Sequence, residues 1–209
     1  PNAVQSRELG IGLARLHQAA ADFAMQRENS LGPSSWPVLW DGREQTAETL
    51  QPGLAEKIAA DLISVAEAQS SLSSLPRGTI HADLFPDNAF FLGDRFTGAI
   101  DFYFACTDAL AYDLAVCVNA WAFDSDGAFN YSKAANLIAG YQNVRPLDAD
   151  EKAAFPILCR GAALRFFLTR LVDWTDTPDD ALVKPKDPLD YADRLRFHRT
   201  ARSIADYGG

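Results

Sequence analysis

Cysteine, histidine and methionine are scarce in this 209-residue chain, at three, three and one. Cys106, Cys117 and Cys159 are odd in number and separated by 11 and 42 residues, which matches neither a disulfide framework nor a C-x-x-C metal site. They read as reduced core thiols, the usage of a cytoplasmic protein. His17, His81 and His198 lie far apart in sequence, so a zinc site is not expected. No run of 18 apolar residues and no signal-peptide pattern occurs, and neither a membrane span nor secretion is expected. Positive charge is also short. Lys and Arg number 19 against 28 Asp and Glu, a net charge of -9, which denies the chain the basic face that nucleic acid or an anionic bilayer requires. Neither a G-x-S-x-G nucleophile elbow nor a Walker A sequence is present.

What the chain does carry is helical periodicity. Leu9, Leu13, Leu16, Ala20 and Phe23 alternate at spacings of four and three, one apolar stripe that predicts a helix from Val4 to Met25. Residues 30–37, rich in Ser, Gly and Pro, read as a loop, and Pro52-Gly53 opens a second helix that ends near Leu75-Pro76. Two short apolar runs, Asn88 to Leu92 and Phe96 to Ile100, flank Gly93-Asp94-Arg95 and predict a hairpin, the only strands the pattern supports. Helical spacing returns around Leu114, Val118 and Trp121, and again around Leu137, Ile138 and Tyr141. A long helix is expected from about Pro156, with proline in its first turn, to Trp174. A polar loop from Thr175 to Pro188 then leads to a last helix from Leu189 to Ala205. The expected fold class is therefore α+β, mostly α-helical, a single domain with one β-hairpin.

The chemistry concentrates in Thr79 to Asn88. His81-Ala82-Asp83-Leu84-Phe85-Pro86-Asp87-Asn88 fits H-x-D-L-x-x-x-N, the catalytic-loop pattern of kinases. With 3 His, 21 Asp and 7 Asn in 209 residues, H-x-D-x-x-x-x-N is expected by chance only about 0.01 times. The second predicted strand runs into Asp101-Phe102, where a kinase places the aspartate of D-F-G. Phosphoryl transfer has a loose transition state, so the protein mainly orients the acceptor hydroxyl and neutralises charge with Mg²⁺. Asp83 is the candidate catalytic residue, facing the hydroxyl. Asn88 and Asp101 are the candidate metal and nucleotide ligands, hard oxygens of the kind Mg²⁺ takes. Ala82 stands where protein kinases carry arginine, and Tyr103 replaces the glycine of D-F-G with no A-P-E following. Phosphorylation-gated activation and a protein substrate are therefore not expected.

These motifs resemble the aminoglycoside phosphotransferase and choline kinase group of small-molecule kinases, which share the protein-kinase-like fold. Within it, His81 to Asn88, Ala111 to Ala115, Arg160 to Phe167 and Leu195 to Arg199 are most similar to the bacterial members acting on homoserine, and the likeness covers nearly the whole chain. The resemblance implies the C-terminal lobe of that fold, ATP and Mg²⁺ as cofactors, and L-homoserine as the acceptor. It implies a structural role for His81, and for Asp113 a brace accepting catalytic-loop N–H groups. Homoserine is a zwitterion: Arg160 and Arg165 are candidates for its carboxylate and Asp87 for its ammonium. A structural salt bridge is the other reading of the two arginines. Choline, an aminoglycoside or another small alcohol stay open as acceptors, as does a non-catalytic kinase-like binding module.

Nothing before the first helix supplies a nucleotide-covering loop or a phosphate-facing lysine. Residues 1–209 are thus expected to form the catalytic and substrate-binding lobe, with a β-rich nucleotide-binding lobe preceding Pro1. Gly10-Ile11-Gly12 fails the G-x-G-x-x-G spacing and is expected to serve close packing. Asp173, Asp176, Asp179 and Asp180 read as a solvated acidic face.

Overall fold

The Leu9 and Leu13 stripe does form a helix, but a shorter one. In the computed structural model, which describes residues 1–178 and 180–209, α1 spans Ala3–Ala19 behind an Asn2 capping box with Gln5. Past Ala20 the chain leaves the helix to lie along a strand, where Thr107 N–H donates to the Arg27 carbonyl at 2.7 Å. Phe23 is 56 % exposed, so its place in the stripe was coincidental. The expected loop at 30–37 runs into α2 (Trp36–Trp40), begun by a proline in its first turn. Next come α3 (Glu44–Leu50) and the anticipated long helix, α4 (Leu54–Ser73).

Four short strands follow. β1 (Arg77–Ile80) precedes the catalytic-loop motif, while β2 (Ala89–Leu92) and β3 (Arg95–Ala99) form the hairpin, turning at Gly93 with φ 61°. β4 (Cys106–Ala109) then returns to pair antiparallel with β1, from Arg77 opposite Ala109 to Ile80 opposite Cys106. Sequence patterning missed β1 and β4 because Arg-Gly-Thr-Ile and Cys-Thr-Asp-Ala carry no apolar alternation. Their pairing is reinforced by Arg77 against Asp108 at 3.1 Å. It brings the residues after Ile80 and those before Cys106 to one place, where the site forms.

The remaining elements are helices: α5 (Leu110–Trp121), α6 (Tyr131–Gln142), α7 (Ala149–Asp176) and α8 (Leu189–His198). α5 is buried over almost every residue from Ala111 to Trp121, and α7 packs against it, α4 and α8. An α5 buried on all sides is the axis of the core. α7 starts earlier than expected, at a capping box of Asp148 and Glu151, so Pro156 sits inside the helix rather than in its first turn. Burial of Phe155, Leu158 and Cys159 around it offsets the lost backbone hydrogen bond. α8 stops short of the expected Ala205, ending at His198, and Arg199 just beyond it pairs with the buried carboxylate of Asp61 on α4, at 2.6 Å. No helix among the described residues is long and apolar enough to cross a membrane.

α1 and α6 approach closely enough to exclude a methyl group at two glycines. A Cβ on Gly10 would strike the Leu137 carbonyl oxygen, and one on Gly140 the Arg7 carbonyl oxygen. At Gly12 the obstacle is only the Phe96 ring. Backbone cannot step aside as a ring can. Gly140→Ala should therefore lower unfolding free energy by about 2 kcal/mol in urea titration, and more than Gly12→Ala does. Equal stability of the two variants would disprove this packing account.

Candidate active site

The catalytic loop leaves β1 in an unusual conformation: Ala82 has φ 62°, a left-handed geometry that a residue with a Cβ avoids. Its neighbours are tied to the core. The buried Asp113 on α5 accepts the His81 N–H at 2.7 Å through one oxygen and the Ala82 N–H at 2.8 Å through the other. The first oxygen also accepts from His17 Nε2 at 3.0 Å. Burial alone would raise the Asp113 carboxyl, yet His17 and the two backbone donors outweigh it and hold it below the usual carboxylate range. His17 Nδ1 lies 2.8 Å from the Tyr141 hydroxyl, whose oxygen accepts from Arg145 at 3.3 Å. His17 thus bridges the Asp113 carboxylate and the Tyr141 hydroxyl through its two ring nitrogens. Arg145 in turn pairs at 2.9 Å with Glu151 of the α7 capping box. The Asp113 brace is the one the resemblance implies; its extension through His17 to Tyr141 and Arg145 joins residues far apart in sequence, and no local pattern marks it.

His81 is fully buried and bonds within the loop and across it. Its Nδ1 accepts the Asp83 N–H at 3.3 Å, which places the ring proton on Nε2, 2.9 Å from the Ile100 carbonyl. The loop is therefore bound to the end of β3, one residue before Asp101. The carbonyls are also held: Asp83 by Asn88 Nδ2 at 2.9 Å and Leu84 by Trp121 Nε1 at 2.8 Å. Asp101, at φ 61°, caps the turn at 102–104 through the Tyr103 N–H.

Asp83, Asp87, Asn88 and Asp101 line one cavity of about 560 Å³. Phe85, Phe104 and Phe166 contribute apolar walls. Thr169, Arg170 and Asp173 come from one face of α7, and Thr177 and the 183–186 segment complete the rim. Burial raises the Asp83 carboxyl above its ordinary value; Arg165 and His81 oppose this only in part, and Asp101 and Asp87 add to it. A carboxylate so placed is a stronger base than one in water.

The two candidate substrate arginines do not reach this cavity. Arg160 is absent from the cavity lining, and its charge joins burial in lowering His198 to about 3. Arg165 is 3 % exposed, donates to the Ala82 carbonyl and lies 3.9 Å from Asp83. The reason is rotational: Phe166, Thr169, Arg170 and Asp173 share the cavity face of α7, and Arg165 points below it. Asp173 accordingly belongs to the cavity as well as to the acidic run. Asp176 pairs with Arg43 at 2.9 Å, Asp180 is exposed, and Asp179 is outside the described residues. The spacing of 166, 169, 170 and 173 was the signal that could have identified this face.

Residues 3–147 match the phosphotransferase enzyme family, and the chain belongs to it. It is 61% identical over 215 residues to a homoserine kinase of Hyphomonas neptunium and 60% identical over 208 to one of Methylobacterium radiotolerans. Both matches cover 100% of this chain, which spans 66% and 64% of those relatives. In structure it resembles a choline/ethanolamine kinase family protein of Mesorhizobium loti, with a TM-score of 0.64 at 18% identity, covering 97% of this chain and 66% of that one. An ethanolamine kinase of Plasmodium vivax gives 0.60 at 15% identity, covering 98% and 61%. The fold is thus shared with these proteins over nearly the whole of this chain and about two thirds of theirs.

Asp113 carries a pH signature. Its folded pKa lies below the unfolded value near 3.9, so its stabilisation is present above that value and is lost as pH falls through the folded one. Asp113→Asn should cost about 3 kcal/mol at neutral pH, and the deficit should shrink as pH falls below about 4. A deficit independent of pH, measured by urea unfolding, would contradict this assignment.

Proposed function

We propose that the chain is the catalytic and acceptor-binding lobe of an ATP-dependent kinase that phosphorylates L-homoserine. The observation that carries this reading is the convergence of Asp83, Asn88 and Asp101 on one cavity, in a chain 61% identical to a homoserine kinase over its whole length. The acceptor hydroxyl donates its proton toward Asp83 as its oxygen bonds to the γ-phosphorus and the bond to the leaving diphosphate breaks. Part of the enzyme outside these 209 residues covers the nucleotide.

The donor set suits Mg²⁺. Asn88 spends its Nδ2 on the Asp83 carbonyl, which turns its Oδ1 free for a cation, and Asp101 adds a carboxylate on the same cavity. No cluster of three or more His, Cys, Asp or Glu among the described residues suits an ion. Two protein ligands completed by phosphate and water is the habit of Mg²⁺, which when bound neutralises charge on the phosphates. For the zwitterionic acceptor, Asp87 and Asp173 supply acids for the ammonium. Arg170 and Lys186 replace Arg160 and Arg165 as cations for the carboxylate.

Phe85, Phe104 and Phe166 favour choline as a second reading, because aromatic faces attract quaternary ammonium. Arg165 weakens it: its guanidinium lies 4.2 Å from the Phe166 ring centroid and 5.2 Å from that of Phe104. In the full-length enzyme with MgATP, homoserine should be turned over faster than choline or an aminoglycoside. A tenfold preference for either rival would overturn the acceptor assignment. Asp83→Asn should lower kcat at least ~10²-fold with ATP affinity retained. Asp173→Asn should raise the homoserine KM about tenfold at constant ATP KM, as loss of a charged contact does, and an unchanged KM would remove Asp173 from the acceptor site.

A further inference from the structure

The geometry points to Arg165 as a positioning residue for Asp83: reaching in from α7, it clamps the carbonyl of the left-handed Ala82 and thereby aims the next side chain. The role in turnover rests on the kinase reading above. Ala82 is one of two non-glycine residues with positive φ among those described, and both stand at the site. A left-handed alanine persists only where its surroundings over-determine it. Here both of its polar ends are taken by charged groups from different helices, the N–H by Asp113 of α5 and the carbonyl by Arg165 of α7. With the peptide planes on either side of Ala82 held, the direction of the Asp83 Cα–Cβ bond is set.

Among the described residues, the hydrogen bond and the ion pair of Arg165 both fall on this loop. Arg165 is 3 % exposed, and a buried cation needs compensation. That comes from the Ala82 carbonyl, from Asp83 Oδ1 at 3.9 Å, and from the rings of Phe166 and Phe104. Its Nε has no partner at all, so the guanidinium is held by the loop rather than by a separate salt bridge. Protein kinases place arginine in the loop itself, between the histidine and the aspartate. Here that position is Ala82, and the cation arrives instead from a helix 83 residues further along the chain.

The test uses the full-length enzyme carrying Arg165→Met, Arg165→Lys, Ala82→Gly and the Arg165→Met/Ala82→Gly pair. Displacing a reacting group by about 1 Å costs up to ~10²-fold, so Arg165→Met should lower kcat at least tenfold with both KM values nearly constant. Arg165→Lys should recover part of the loss. Glycine adopts a left-handed backbone freely, so Arg165→Met should cost no more than about threefold once Ala82→Gly is present. An equal loss in both backgrounds would overturn the inference, as would a homoserine KM that rises at constant kcat, the mark of a substrate clamp. Amide hydrogen exchange over residues 81–88 reads the geometry without turnover. It should be faster in Arg165→Met, or in Arg165→Lys if the methionine variant does not fold, and slower again with Ala82→Gly. Unchanged exchange would also overturn the inference. Absence of turnover in the unsubstituted enzyme would count against the kinase reading alone, and exchange would still decide the role of Arg165.

Discussion

The structure depends on the buried carboxylate of Asp113. It accepts two consecutive backbone N–H groups of the catalytic loop and the imidazole of His17, so it joins α5, α1 and the loop at one point. A buried charge is costly unless it is paired and hydrogen-bonded, and this one is supplied with donors. Its dependence reaches further through Tyr141 and Arg145 to the first turn of α7. The loop from His81 to Asn88 is therefore anchored to the most buried helix, rather than left to the mobility usual of loops.

Around that anchor the site separates two kinds of charged residue. Asp113 and Arg165 are almost excluded from solvent and face the backbone of Ala82 from opposite ends. Asp87, Asp101 and Asp173 are exposed on the cavity wall, free of backbone duties except for the Asp101 cap. The buried set shapes the loop, and the exposed set faces the open cavity. Rigid support beneath an accessible constellation is what positioned catalysis demands. The same division explains why the chain tolerates two left-handed non-glycine residues at one place, since strain persists where the surroundings hold it.

Much of this was legible in the sequence. The H-x-D-L-x-x-x-N spacing and the Asp101 position following the hairpin marked the residues that line the cavity, and the apolar stripes marked α1, α4, α5 and α6. Those signals are local: a motif within ten residues, or a period of three to four along one helix. Where local signals were weak, the reading failed. β1 and β4 have no apolar alternation, and each is a strand because the other lies beside it. Pro156 suggested a helix start, whereas the capping box at Asp148 and the buried residues around the proline decided where α7 began.

The sequence by itself determined which acidic and amide residues of the motif come to line the cavity and that most of the chain is helical, because both are written in short-range spacing. Only the tertiary structure decided what the arginines do. Arg160 and Arg165 sit on the same apolar helix with equivalent charge, yet the charge of one acts on His198 and Tyr207 while the other lies 3.9 Å from Asp83. The difference lies in the rotation of α7 about its axis against α5 and the loop. That rotation is set by the packing of residues dozens of positions apart, Asn119 on Cys159 and Arg165 on Ala82 among them, and no periodicity along one segment encodes it.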